Sequence, residues 1–188
     1  MKNAKPVFSL LYSFALTLAL ASPAESTETS VPIPTGSNRT CQQAVDSVGR
    51  ELASKGAFVP FNTHAVPGGR VEPTVSIENG NFPQKYQSGY PTNRPQKVEF
   101  ILSGDDNSLL NVMSSPQFLT ILASQIMAAC PQVGMVNYQH WWKDHIPVGY
   151  FSDGIARPFT WVDVDDPRLG WWDDQGRLLG RWGYYFVP

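Results

Sequence analysis

The chain has few of the residues that build familiar catalytic and metal sites. It contains 2 cysteines and 3 histidines in 188 residues. The Gly-x-Ser-x-Gly motif, the phosphate loop and the dinucleotide-binding motif are all absent from the sequence. His140 and His145 are five positions apart, which does not match the four-residue spacing of a helical zinc site. The sequence therefore predicts no metal and no cofactor, and it identifies no catalytic residue.

The sequence also has no large excess of charge of either sign, since its formal net charge is -2 at pH 7. Basic residues form no stripe along the chain, so a nucleic-acid partner is not expected. Acidic residues gather at Asp163, Asp165 and Asp166, but this group lacks the ligand spacing and the glycine of a calcium loop. Aspartate is also a common turn residue, so calcium is not predicted.

Long apolar runs are missing except at the N-terminus. Residues 7–20 form such a run after Lys2 and Lys5, and Ala19-Leu20-Ala21 fits the small-x-small pattern of signal peptidase sites. This order predicts a secretory signal peptide over residues 1–21, with an apolar run too short to span a membrane. A buried N-terminal helix is the alternative. We therefore expect an exported protein, periplasmic or extracellular, with no membrane span in the mature chain.

The rest of the chain divides into a tail and one domain. Residues 22–37 are rich in serine, threonine and proline, which predicts a disordered tail or linker. Residues 38–188 are enough for a single domain with its own core. Cys41 and Cys130 are an even pair in a protein expected to be exported, so we predict a disulfide between them, with two free thiols as the alternative.

Two helices are well marked in the sequence. The first follows Thr40, which forms a capping box with Gln43. The second begins at Pro116 after a serine and runs to Cys130. Because the cysteines lie at the start of one helix and the end of the other, a disulfide would place the helices side by side and antiparallel.

Strands are predicted between and after these helices. They cover residues 57–61, 70–77, 97–102, 134–139, 146–151 and 156–164, with a further pair around 173–176. The predicted fold class is α+β, with a mainly antiparallel sheet and two helices packed on one face, linked by the disulfide.

Tryptophan is confined to the last quarter of the chain, and this is its most unusual feature. The six residues are Trp141, Trp142, Trp161, Trp171, Trp172 and Trp182. In an extended strand, neighbouring residues point to opposite faces, so the two adjacent pairs cannot be buried entirely in one core. The cluster is either a second small core on the far side of the sheet or a surface that contacts a ligand.

The dipeptide Asp153-Gly154 refines this choice because it predicts a two-residue hairpin turn. In that register Val148 lies opposite Phe159, and Tyr150 lies opposite Arg157. The side chains predicted to share one half-exposed face are Tyr150, Arg157, Phe159 and Trp161, with Asp163 beyond them and Trp141 or Trp142 nearby. These residues are our candidate binding surface.

Five short segments carry a resemblance to other proteins. They are Gly56-Ala-Phe-Val-Pro-Phe61, Ser115-Pro-Gln-Phe118, Ala128-Ala-Cys-Pro-Gln-Val-Gly134, Val148-Gly-Tyr-Phe-Ser-Asp-Gly154 and Arg157-Pro-Phe-Thr-Trp161. In these segments the chain resembles a group of small exported proteins of cyanobacteria over most of its mature length. The resemblance implies export from a bacterial cell, and it supplies no activity and no catalytic residue. Asn38-Arg39-Thr40 matches the sequence pattern of a glycosylation site, and the resemblance to bacterial proteins weakens that interpretation.

We therefore expect a non-catalytic binding or accessory protein of the cell envelope that contacts a glycan, a peptide or another protein. The alternative is a hydrolase acting on a cell-wall or polysaccharide substrate, with His140 or His145 as base and Asp144 or Asp163 as its carboxylate. A third possibility is that the aromatic surface mediates oligomerisation.

Overall fold

The computed structural model describes residues 29–34, 39–57, 75–86, 88–140, 144–163 and 180–185. The predicted signal peptide (1–21) lies outside the described residues. The predicted strand pair around 173–176 and most of the predicted strand at 57–61 also lie outside them.

The described chain alternates helices and strands. The elements are β1 (Val31–Pro32), α1 (Cys41–Ser54), β2 (Val75–Asn79), α2 (Phe82–Lys85), β3 (Gln96–Leu102), α3 (Asp106–Met113), α4 (Pro116–Ala129), β4 (Val133–His140), β5 (Asp144–Tyr150), β6 (Ile155–Pro158), β7 (Thr160–Trp161) and β8 (Tyr184–Tyr185). Six strands form one sheet in the order β1-β6-β5-β4-β3-β2, and β7 pairs with β8. The fold is α+β, as predicted.

The sheet is mainly antiparallel, as predicted, but it is mixed because one central pairing is parallel. β3 and β4 are parallel neighbours in its centre, and the other four pairings in this sheet are antiparallel. The reason is that α3 and α4 lie between β3 and β4 in the chain. A helical crossover returns the chain to the end of the sheet where the previous strand began, and the next strand then runs parallel to it.

Apart from the single turn of α2, a third helix, α3, corrects the prediction of two. α3 begins at Asp106, and the side chain of Asp105 accepts a hydrogen bond from the backbone N–H of Ser108 at 3.0 Å. This aspartate is an N-cap, although in the sequence it resembles a simple turn residue after β3. Leu109 and Val112 are the buried residues of this helix.

α1, α3 and α4 cover one face of the sheet, which we call the inner face. On β3 the buried residues alternate as predicted, with Val98, Phe100 and Leu102 fully buried. The main core joins these side chains to residues of the helices and of the neighbouring strands: Val45, Val48, Leu52, Leu119, Ile126, Val136, Tyr138 and Val148. Tyr138 stacks on Phe100 with ring centroids 5.6 Å apart and donates its hydroxyl to the Leu119 carbonyl at 3.0 Å.

The predicted disulfide is present between Cys41 and Cys130, with a Cα–Cα distance of 4.7 Å. It joins the first residue of α1 to the residue after α4, and these two helices pack against each other. The bridge links residues 89 positions apart. In the loop-entropy model, closing a loop of that length stabilises the fold by about 4–5 kcal/mol.

Arg94 holds the chain next to the disulfide. Its Nη1 donates to the carbonyl oxygens of Met127 and Val133 at 3.0 Å each, and to that of Cys130 at 3.5 Å. The guanidinium carbon lies 4.0 Å from the centre of the Tyr150 ring. One side chain thus satisfies carbonyls at the C-terminal end of α4 that have no partner within the helix.

Part of the segment predicted to be a disordered tail belongs to the sheet. Val31 and Pro32 pair with Ala156 and Ile155 of β6, and the Ile33 side chain packs against the main core. Because β1 is an edge strand, it tolerates a proline, which cannot donate to a neighbour. Within the described residues, no helix is both long and apolar enough to cross a membrane.

Candidate functional site

The hairpin between β5 and β6 has a longer turn than predicted. The N–H of Gly154 donates to the Phe151 carbonyl at 2.9 Å, and the N–H of Phe151 donates to the Ile155 carbonyl at 3.0 Å. Gly154 has a φ of 78°. This is a three-residue loop in which a tight turn is followed by a left-handed glycine. The Asp153 carboxylate stabilises the turn by binding Arg157 through two hydrogen bonds of 2.7 and 3.1 Å.

The predicted register was therefore wrong by one residue. Tyr150 pairs with Ala156, and Gly149 pairs with Arg157. A shift of one position moves every side chain of one strand to the opposite face relative to its partner.

The four described residues of the predicted binding surface consequently do not lie on one face. Tyr150 packs against the main core on the inner face, whereas Arg157 lies over the ring of Phe151 at 5.1 Å. Phe159 is only 5% exposed, but Trp161 is 57% exposed. Trp141 and Trp142 lie outside the described residues.

Most of the described aromatic side chains of this region form a second core on the outer face of the sheet. The second core comprises Phe82, Tyr86, Met135, Phe159 and Trp182, with Tyr90, Phe151 and Tyr185 packed against it. Trp182 is its centre and contacts the rings of Phe159, Phe82 and Tyr86 edge to face at 4.9, 5.0 and 5.1 Å. Its indole N–H donates to the Tyr150 carbonyl at 3.0 Å, so both its apolar body and its polar group are satisfied.

A glycine lets these rings reach the sheet. A Cβ atom on Gly149 would overlap the ring of Phe159 and lie 3.0 Å from the Trp182 ring. The second core is therefore built directly on the backbone of β5.

Trp161 extends this second core toward the solvent. It pairs with Tyr185 across β7 and β8, and Tyr185 packs against the second core. Backbone hydrogen bonds fix the pair on both sides, from Thr160 N–H to the Gly183 carbonyl at 2.8 Å and from Val162 N–H to the Tyr185 carbonyl at 3.0 Å. The indole is thus carried by a fixed backbone, and it remains largely open to solvent.

A row of polar residues crosses the outer face beside the second core. Asn137 Nδ2 lies 2.9 Å from Glu99 Oε1 and 3.5 Å from His145 Nδ1. Lys97 adds ion pairs to Glu78 at 3.0 Å and to Glu99 at 3.5 Å. This row matches no sequence motif, although the alternation in β3 that buries Val98, Phe100 and Leu102 places Lys97 and Glu99 on the opposite face.

Burial and neighbouring charges affect the ionisation of this row. Partial burial lowers the pKa of His145, and the Lys85 ammonium lowers it further, while Glu99 and Asp144 act in the opposite direction. Lys85 lies at the end of α2, with its Nζ 5.8 Å from the centre of the Tyr86 ring. Burial also lowers the pKa of Lys85, followed by repulsion from Lys97, and Glu99 opposes these effects.

His140 and Asp144 lie at the other end of β4 and β5, beside α3. They pair across the two strands, and His140 Nδ1 is 3.8 Å from Asp144 Oδ2, beyond hydrogen-bond distance. A groove of about 280 Å³ runs between them and α3, lined by Asp106, Leu109, Leu110 and Met113. His140 thus lies near Asp144 without a hydrogen bond to it, whereas the hydrogen-bonding neighbour of His145 in the described chain is the amide of Asn137. Asp163 lies on the surface after β7.

Comparisons of the chain with models of known protein families, with curated proteins and with solved structures gave no match. Among the described residues, no group of three or more histidine, cysteine, aspartate and glutamate side chains could hold a metal ion. The candidate site is therefore the set of aromatic and polar side chains on the outer face.

Proposed function

We propose that this chain is an exported, non-catalytic binding domain of the cell envelope, and that it recognises the rings of a glycan by stacking them on Trp161. The observation that carries this proposal is the 57% exposure of the indole. A large aromatic side chain left open beside a buried aromatic core is a common mark of a contact surface. A flat indole can cover the apolar face of a sugar ring.

The contacts of His145 suit a binding role. Asn137 presents its NH2 group to the Glu99 carboxylate, and the same group faces Nδ1 of His145. An amide NH2 can only donate, so Nδ1 accepts in this arrangement. The other ring nitrogen, Nε2, then carries the proton of the neutral ring and can donate a hydrogen bond to a ligand.

Export is supported by the disulfide, because such bonds form and persist in oxidising compartments. The apolar N-terminal run and the resemblance to exported cyanobacterial proteins agree with this part of the proposal.

The experiment is a glycan and peptidoglycan binding screen on the mature chain, repeated with Trp161→Ala. We expect the variant to lose at least about tenfold in affinity for the best ligand, equivalent to ~1.4 kcal/mol. Ile121→Ala is the matched control, because Ile121 is 40% exposed on α4 and lies outside both the outer face and the groove. Equal affinity of both variants for every ligand would refute the assignment of Trp161.

The competing function is hydrolysis of a cell-wall polymer at the groove, and the proximity of His140 to Asp144 is the observation in its favour. It predicts release of soluble fragments from peptidoglycan or polysaccharide by the wild-type chain, and loss of that release in His140→Ala. The binding proposal instead predicts no turnover in either protein.

A further inference from the structure

The groove between α3 and the ends of β4 and β5 has one wall formed by a single stripe of α3. The residues that α3 contributes to the lining are Asp106, Leu109, Leu110 and Met113. They recur at intervals of three and four positions, so their side chains are neighbours along the helix surface. The carboxylate lies in the first turn of α3, and the apolar residues follow it along the helix.

The opposite wall is the end of the sheet. His140 and Asp144 are paired residues of β4 and β5, and both line the groove. His140 Nδ1 is 3.8 Å from Asp144 Oδ2, so the histidine does not occupy this carboxylate with a hydrogen bond. A ligand in the groove can therefore reach an acidic side chain on each wall.

The lining of the groove is negative at neutral pH. Asp106 and Asp144 come from different elements and border the same space, and the described lining contains neither lysine nor arginine. A cleft lined by charges of one sign concentrates ligands of the opposite sign. The charge of the groove therefore favours a positive ligand.

The apolar part of the lining decides between a metal ion and an organic cation. Among the described residues, no group of side chains could hold a metal ion, and leucine offers no ligand to one. Leu110 is 67% exposed, so a ligand with an apolar body would remove leucine surface from water. An ammonium group on such a body uses both the carboxylates and the apolar residues.

We propose that the groove binds a small organic cation, with its ammonium group between Asp106 and Asp144 and its apolar body over Leu110 and Met113. The volume of about 280 Å³ is just below the range of about 300–1,000 Å³ that is usual for ligand pockets, so the ligand is small. The site uses other residues than Trp161. It therefore does not depend on glycan binding, and the two proposals can fail separately.

The experiment titrates the mature chain with butylammonium chloride, against sodium chloride at equal ionic strength, and follows the methyl signals of Leu109, Leu110 and Met113 by NMR. We expect saturable shifts at these methyl groups. Two reference ligands separate the contributions of charge and apolar surface. 1-Butanol lacks the charge and methylammonium has almost no apolar body, so each should bind at least about fivefold more weakly.

Asp144→Asn should weaken butylammonium binding by at least about fivefold, because it removes one of the two charges that attract the ligand. The Asp144 side chain is 68% exposed, so the substitution should leave the fold intact. Asp46→Asn is the matched control, since it removes an exposed carboxylate of α1 outside the groove. The inference is overturned if butylammonium gives no shifts beyond those of sodium chloride, if either reference ligand binds as tightly, or if Asp144→Asn binds as the wild type does.

Discussion

At the scale of single residues, Asn137 connects Glu99 to His145. Its amide must turn the NH2 group toward Glu99, since the opposite orientation would place Oδ1 against a carboxylate. The same NH2 group then faces Nδ1 of His145 and leaves no acceptor there for an added proton. This arrangement agrees with the lowered pKa of His145, for which burial is the main cause.

Asn137→Asp should raise the pKa of His145, because the new carboxylate would accept a proton from Nδ1 and stabilise the imidazolium. NMR titration of the histidine ring measures this directly. Asn111→Asp introduces the same charge on the exposed side of α3 and should leave the titration unchanged. A His145 pKa that stays the same in Asn137→Asp would show that burial alone sets its value.

The lowered pKa of His145 also has a consequence for stability. The unfolded chain, in which His145 titrates near 6.5, binds a proton more readily than the folded chain does. The free energy of unfolding should therefore fall as the pH drops from about 6.5 toward the folded-state pKa, and this contribution is fully present above that window. Urea denaturation at several pH values should show a smaller decrease over this window in Asn137→Asp than in the wild type.

Gly149 is the residue on which the second core depends most closely. Gly149→Ala should destabilise the fold by about 1–3 kcal/mol, because its Cβ would overlap Phe159. Urea denaturation tests this with a double-mutant cycle, in which the added methyl should cost less when Phe159→Ala has removed the ring. Additive effects of the two substitutions would contradict the contact.

At the scale of elements, the sequence predicted structure wherever the signal is local. The capping box of Thr40 and Gln43 is present at the start of α1, and α4 begins at Pro116 as expected. The parallel pairing of β3 with β4 is a contact between segments far apart in the chain, and alternation within a strand does not reveal its neighbour. The dipeptide Asp153-Gly154 correctly predicted a hairpin. It is compatible with a loop of two residues and with a loop of three, and the loop length decides the register of the two strands. The observed loop has three residues, so the register predicted from a two-residue loop was wrong.

Arg94 joins the end of α4 to the start of β4 beside the disulfide, and its contribution to stability can be measured. Arg94→Lys should lower the free energy of unfolding by about 1–3 kcal/mol. A lysine ammonium lacks the planar guanidinium group that bonds the carbonyls of Met127 and Val133. Arg50→Lys, on the exposed side of α1, is the control and should have little effect. Similar urea midpoints for the two variants would mean that the disulfide holds this junction without Arg94.

At the scale of the whole molecule, the sheet separates two cores of different character. The main core under the helices could be predicted from the sequence, because helical and strand periodicity both pointed to it. The second core was foreseen only as one of two alternatives for the tryptophan cluster. The division of the cluster into a buried Trp182 and an exposed Trp161 depends on the β7–β8 pairing, which brings together residues more than twenty positions apart and has no local signal.

The most direct test of the account is to follow the indole N–H signals of Trp161 and Trp182 by NMR while the best glycan ligand is added. We expect the Trp161 signal to shift with the ligand concentration. The Trp182 signal should stay nearly constant, because its indole is buried and bonded to the Tyr150 carbonyl. A ligand that binds without moving the Trp161 signal would contradict the proposed binding surface.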